Sequence, residues 1–144
     1  MRTALDSSVL LDVLAADAAF GDRSREALRA AYNSGALLAC DVVWAEVRAH
    51  FRSEEPFSEA LTLLGVRFDP ISHDAARLAG KLWREHRAKN PSARDRLIPD
   101  FLVGAHARLQ SDALLSRDRG FYRRYFSGLR VIDPLARLTP PTPQ

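Results

Sequence analysis

This 144-residue sequence predicts an α/β domain whose mainly parallel sheet is covered by helices on both faces, and three observations predict it. Short apolar runs recur along the chain as "RTAL", "ALLAC", "VRF", "ALLS" and "LRVID". Longer stretches between them carry apolar residues at three- and four-residue intervals, the period of a helix with one buried face. The resulting order, β-α-α-β-α-α-β-α-α-β-α-β, inserts helical crossovers between strands, as parallel pairing requires.

The elements follow in turn. "RTALD" is a short strand that meets a carboxylate at Asp6, and "SVLLDVLAA" continues with Val9, Leu10, Val13 and Leu14 at helical spacing. "DRSREALRAAYNSG" reads as a second helix with Gly35 as its C-cap. "ALLAC" is a buried strand, and Asp41 is the expected N-cap of a helix over "VVWAEVRAHF". "PFSEALTLLG" is a helix stopped by Gly65, and "VRF" a strand closed by "DP". Ser72 opens the long helix "HDAARLAGKLWREHRAK", which the loop "NPSARDR" ends. "LIPDFLVGAHARLQ" is the next helix, with Pro99 tolerated in its first turn. "ALLS" is a strand, "DRGFYRRYF" a turn and short helix, and "LRVID" the last strand. We expect one domain over residues 1–138, followed by a Pro-rich tail at 139–144 that is disordered or packed as a strap.

Composition narrows the functional classes. Hydrophobic residues make up 47% of the chain, as a globular core requires. Uninterrupted apolar runs reach only about five residues against the roughly 20 that span a bilayer. Asp6, Asp12 and Asp17 interrupt any secretory signal, so a cytoplasmic location is the expectation. The single cysteine, Cys40, cannot form an intramolecular disulfide and is expected in the core. Residues 1–76 hold 7 basic and 12 acidic groups, residues 77–144 hold 14 and 6, and 19 of the 21 basic residues are arginine. Such a C-terminal half permits a phosphate-bearing partner, although codon bias also yields arginine.

Four acids stand out. Asp6 has two readings, a cap for the next helix or a ligand-binding carboxylate at the C-terminal edge of a parallel sheet. Asp118 repeats the pattern at the end of "ALLS", with Ser116 placed as Ser8 is. Glu46 lies among Val42, Val43, Ala49 and His50 on a mostly apolar helical stripe, and Asp100 among Leu97, Val103, Gly104 and Ala107. A carboxylate in such a place is costly unless it is paired or binds a metal. An arginine partner for Glu46 and a helix-dipole role for Asp100 are the structural alternatives. If the first and fourth strands are neighbours, as in the sheet order 3-2-1-4-5, all four acids converge on one edge. Oxygen-only donors there favour Mg²⁺ or Mn²⁺ over zinc.

In "LDSSVLLDVL", "VVWAEVRAHF", "IPDFLVGAHA" and "LLSRDRGFY" the sequence resembles the PIN-domain ribonucleases, and within them the single-domain toxins of VapBC-type toxin–antitoxin pairs. The acids follow in the family's order at spacings of 40, 54 and 18 residues, over nearly the whole chain. The resemblance implies a three-layer α/β/α fold with strand order 3-2-1-4-5. It implies that Asp6, Glu46, Asp100 and Asp118 are catalytic and hold one or two Mg²⁺ or Mn²⁺ ions, with Ser8 and Ser116 as supporting hydroxyls. It further implies metal-dependent hydrolysis of RNA, a small VapB-like antitoxin as partner, and a homodimer formed through a helical face.

Around these acids, Arg117, Arg119, Arg123 and Arg124 are expected either to steer the RNA backbone or to form a solvated helix face, with Phe121 and Tyr125 packed inward. Tyr122 could stack on a base. Nucleotide-binding glycine loops are absent, and His50, His73, His86 and His106 show no zinc spacing. A receiver-like phospho-acceptor domain would leave Glu46 and Asp100 unexplained. A catalytically silent RNA-binding or protein-interaction module of the same fold remains the alternative.

Overall fold

The computed structural model of the chain describes residues 1–89 and 97–136. The expected loop at 90–96 and tail at 139–144 lie outside the described residues. Five strands, β1 (Arg2–Leu5), β2 (Ala36–Ala39), β3 (Val66–Phe68), β4 (Ala113–Leu115) and β5 (Val131–Ile132), form one sheet in the order β3-β2-β1-β4-β5. Every pairing is parallel, with Thr3 opposite Leu37 on one side and Ala113 on the other. Strands covered on both faces read as continuous apolar runs, and Ala4, Leu5, Leu37, Leu38, Ala39, Ala113, Leu114 and Leu115 are all buried.

Among the described residues seven helices cross between the strands: α1 (Ser7–Leu14), α2 (Gly21–Ser34), α3 (Asp41–Arg48), α4 (Glu54–Leu64), α5 (His73–Lys89), α6 (Ile98–Gln110) and α7 (Arg119–Tyr125). The chain steps outward from β1 through β2 to β3, then returns to the other side of β1 for β4 and β5. Connections therefore leave β1 and β4 in opposite directions, which makes their C-terminal ends the topological switch point where open α/β sheets bind ligands.

Two aromatic clusters fix the helices around that edge. Phe101 packs edge-on against Phe121 at 5.2 Å and Tyr125 at 5.6 Å, which ties the first turn of α6 to α7. Gly104 completes this contact, because a Cβ there would run into the Phe126 ring. Trp44 meets Phe57 at 5.5 Å and Phe68 at 5.3 Å, anchoring α3 between α4 and the end of β3.

Some boundaries differ from expectation for local reasons. Cys40, buried as expected, occupies the N-cap position of α3. Asp41 instead is the first helical residue, and its Oδ1 accepts the Ile71 N–H at 2.7 Å. That helix stops at Arg48 rather than running to Phe51, since Arg48 reaches forward to Glu54 Oε2 at 2.9 Å and to the Phe51 carbonyl at 3.1 Å. Gly65 ends α4 as expected, in the left-handed conformation at φ 71° that favours glycine. Ser72 Oγ caps α5 by accepting the Ala75 N–H at 3.1 Å. Among the described residues no helix is long and apolar enough to cross a membrane.

Candidate active site

Asp6 follows the last residue of β1 and takes the N-cap position of α1 in extended backbone, φ −83° and ψ 149°. Its side chain makes no capping bond. Ser116 Oγ donates to Asp6 Oδ2 at 2.7 Å, and the Asp6 N–H bonds the Leu115 carbonyl at 3.1 Å, so main chain and side chain are both tied to β4. Of the two readings of this residue, the geometry disfavours the cap. Burial pushes the Asp6 carboxyl above its ordinary range, the Ser116 hydroxyl and the Ser7 N–H pull it back, and the Asp100 and Asp118 carboxylates push it further up.

Ser116 is fully buried just beyond β4 and serves two masters, because the same Oγ accepts the Asp118 N–H at 3.0 Å. Asp118 sits at the N-cap position of α7 without capping it through its side chain. Asp100 lies in the first turn of α6 and is partly buried. Glu46 projects from α3, and Ser7 Oγ donates to its Oε1 at a long 3.4 Å. Partial burial first, then Asp6, then Asp100 raise the Glu46 carboxyl, while Ser7 and His50 oppose them.

The expectation from its stripe that Glu46 occupies a core position is corrected. The residue is exposed, and of its stripe only Val43 is buried and Val42 partly so, with Ala49 and His50 open to solvent. Glu46 thus stands on a rim facing Asp6. Asp6 is the hub of the group: it senses Asp100 and Asp118, and Glu46 senses Asp6 and Asp100. Among the described residues no three His, Cys, Asp or Glu side chains close tightly enough to enclose a metal ion as they stand. The arrangement is an open acidic edge. Its donors are carboxylate oxygens, the set that hard divalent cations prefer.

The supporting residues divide differently from expectation. Ser8 Oγ is buried with no hydrogen-bond partner among the described residues, while the neighbouring Ser7 reaches Glu46. Arg117 is engaged by Asp12, its Nε meeting Oδ2 at 2.7 Å and its Nη2 meeting Oδ1 at 3.1 Å. The Arg117 guanidinium also lies over the Phe20 ring, 4.2 Å from its centroid. Tyr122 is 2% exposed, too buried to stack on a base. Phe121 packs inward as expected, and Arg119 starts α7 partly buried, with Arg123 and Arg124 exposed. Sequence reasoning missed Ser7 and Asp12. Asp12 carried a signal, for it lies three residues after Val9 on the buried stripe of α1.

Comparison with known proteins adds to this geometry. The family model described as PIN domain matches residues 3–127. No curated protein matches by sequence. Similar solved structures include VapBC2 from Rickettsia felis bound to a promoter DNA fragment, 16% identical with TM-score 0.70, the match covering 92% of this chain and 98% of that one. A toxin–antitoxin complex from Klebsiella pneumoniae is similar at 20% identity and TM-score 0.66, covering 92% and 97%. The sarcin–ricin loop cleaving toxin VapC20 of Mycobacterium tuberculosis is similar at 15% identity and TM-score 0.59, covering 89% and 98%.

Proposed function

The chain belongs to the PIN-domain family, and from that premise we propose that it is a Mg²⁺- or Mn²⁺-dependent ribonuclease serving as the toxin of a type II toxin–antitoxin pair. The observation that carries the proposal is Asp6, a desolvated carboxylate at the switch point whose listening neighbours are other carboxylates. Two close like charges repel by up to about 4 kcal/mol at an effective dielectric near 20, and a divalent cation relieves that cost.

Asp6, Glu46, Asp100 and Asp118 would hold the cation. When bound it supplies Lewis-acid stabilisation of charge on the phosphate oxygens and acidifies water for attack on phosphorus. The chain's own residues prepare the site. Ser116 Oγ and the Ser7 N–H hold the Asp6 carboxylate in place at the edge. Ser7 orients Glu46 from the side of α1. The upward-shifted Asp6 and Glu46 carboxyls must shed any proton they carry before serving as ligands, so loading strengthens as pH rises. Arg119 follows Asp118 directly and is assigned to the RNA backbone, with Arg123 and Arg124 extending the positive charge along α7.

Relatives of this fold are described as VapBC and toxin–antitoxin complexes. We extend that to a VapB-like antitoxin for this chain, one that sets a basic side chain into the acidic edge in place of the cation's charge. A cytoplasmic homodimer is part of the same proposal. The test is cleavage of RNA by purified chain with Mg²⁺, Mn²⁺ or EDTA, alongside folded Asp6→Asn and Asp100→Asn variants. Cutting that needs metal and falls at least about a hundredfold in both variants supports the reading. Clean protein that cuts no RNA with either metal, or variants as active as the parent, moves the silent binding module ahead.

A further inference from the structure

Arg117 sits between Ser116, whose hydroxyl holds Asp6, and Asp118, whose N–H that same hydroxyl accepts. Its side chain turns away from both, toward α1 and α2. There the carboxylate of Asp12 takes the guanidinium through two parallel bonds, at 2.7 and 3.1 Å. Asp12 is 6% exposed and is held in turn by Ser24 Oγ, which donates to Oδ2 at 2.9 Å. Phe20 covers one face of the guanidinium. A planar fork caught at its edge by a fixed carboxylate and at its face by a ring has little freedom left.

From this geometry we infer that Arg117 is a positioning residue: the Asp12–Arg117 clamp holds the Ser116–Asp118 segment in register with Asp6 and so sets the spacing of the carboxylates at the acidic edge. The backbone ties of that segment are few beyond β4. Among the described residues, Ser116 N–H bonds the Ile132 carbonyl at 3.0 Å, the Asp118 N–H bonds Ser116 Oγ at 3.0 Å, and the Asp118 carbonyl accepts the Tyr122 N–H at a long 3.4 Å. At the residue between Ser116 and Asp118 the clamp ties the chain to α1 and, through Ser24, to α2. One hydroxyl must satisfy Asp6 and Asp118 together, so a small rotation of the segment breaks both bonds. Groups that orient metal-binding side chains in this way commonly control affinity or activity by about ten- to a hundredfold.

The inference rests on the proposed metal-binding role of the edge for its functional part, and on the hydrogen bonds alone for its structural part. The experiment compares the full chain with Arg117→Lys, Asp12→Asn and the double variant. It reads amide hydrogen exchange at Asp118 and Leu5, calorimetric Mn²⁺ affinity at a temperature well below unfolding, and binding of a single-stranded RNA oligonucleotide in EDTA. The expected result is exchange at Asp118 at least tenfold faster in each single variant, with Leu5 unchanged. Mn²⁺ affinity falls about tenfold in each and no further in the double variant, and RNA binding in EDTA stays within twofold. Unchanged exchange at Asp118 in Arg117→Lys overturns the clamp. Reduced stability with full Mn²⁺ affinity reduces it to a packing contact and overturns the positioning role. RNA binding lost in Arg117→Lys but kept in Asp12→Asn makes Arg117 a phosphate contact, which also overturns it. A wild-type chain that binds no Mn²⁺ sinks the metal reading of the edge, and exchange at Asp118 then judges the clamp by itself.

Discussion

Three aspartates in this molecule are withdrawn from bulk water to similar purpose in the sequence and opposite purpose in the fold. Asp12 is met by a bidentate arginine and a serine. Asp69, beyond the end of β3, receives His106 Nε2 at 2.8 Å and Gln110 Nε2 at 3.2 Å, with Arg2 3.9 Å away. Asp6 has a serine hydroxyl and a neighbouring N–H, and the charges that act on it are those of other acids. The difference separates carboxylates that hold a fold together from the one proposed here to take a cation. Burial of an acid is thus no sign of function until its company is known.

Removing each acid should therefore change stability by a different amount and, in one case, with a different sign. Asp12→Ala leaves the Arg117 guanidinium without its partner, and because that group is 28% exposed the expected loss is about 3 kcal/mol rather than the full cost of a buried pair. Urea unfolding of metal-free protein measures it. Asp69→Ala strips the acceptor from His106, whose side chain is 2% exposed, and should cost about 2 kcal/mol in the same assay.

Asp6→Asn should act the other way. It keeps an acceptor for Ser116 and removes a charge that burial and its neighbours disfavour. The metal-free variant should melt about 3 °C higher than the parent near pH 7.5, the shift that about 1 kcal/mol produces in a chain of this size. The sign with pH follows from the raised carboxyl. The folded state holds the Asp6 proton more tightly than the unfolded state, so the contribution of Asp6 to stability is fullest below the ordinary value of 3.8 and is lost as pH rises through the raised one. The advantage of Asp6→Asn should accordingly shrink toward pH 4. Equal melting of parent and variant at both pH values would erase the contrast with Asp12 and Asp69.

The layout of this domain was readable in its residues because strands and helices differ in period, and the apolar runs are clean. All twelve elements occur in the expected order, and the sheet order follows once β1 and β4 are placed side by side. Helix ends were less readable. Whether Asp41 caps α3 or anchors Ile71 depends on a segment thirty residues away, and Arg48 halts α3 by reaching forward to Glu54. At the candidate site, sequence pattern picked out Glu46 and Asp100 as misfits on their helical stripes and Asp6 and Asp118 as carboxylates ending strands. It could not tell exposed Glu46 from a core residue, since Ala49 and His50 on the same stripe lie open to solvent while Val43 is buried. Nor could it tell Ser7 from Ser8, because one residue of helix rotates a side chain by about 100°. Arg117 looked like a phosphate ligand for want of its partner, as Asp12 lies 105 residues earlier.

Whether the edge around Asp6 is the proposed cation site is read from a crystal of the chain grown or soaked with Mn²⁺, through the metal's anomalous signal. The expected result is an ion about 2.1 Å from a carboxylate oxygen of Asp6 and in coordination with at least one of Glu46, Asp100 and Asp118. An anomalous map with no peak at Asp6 under saturating Mn²⁺, or with the ion bound at another place, would contradict it.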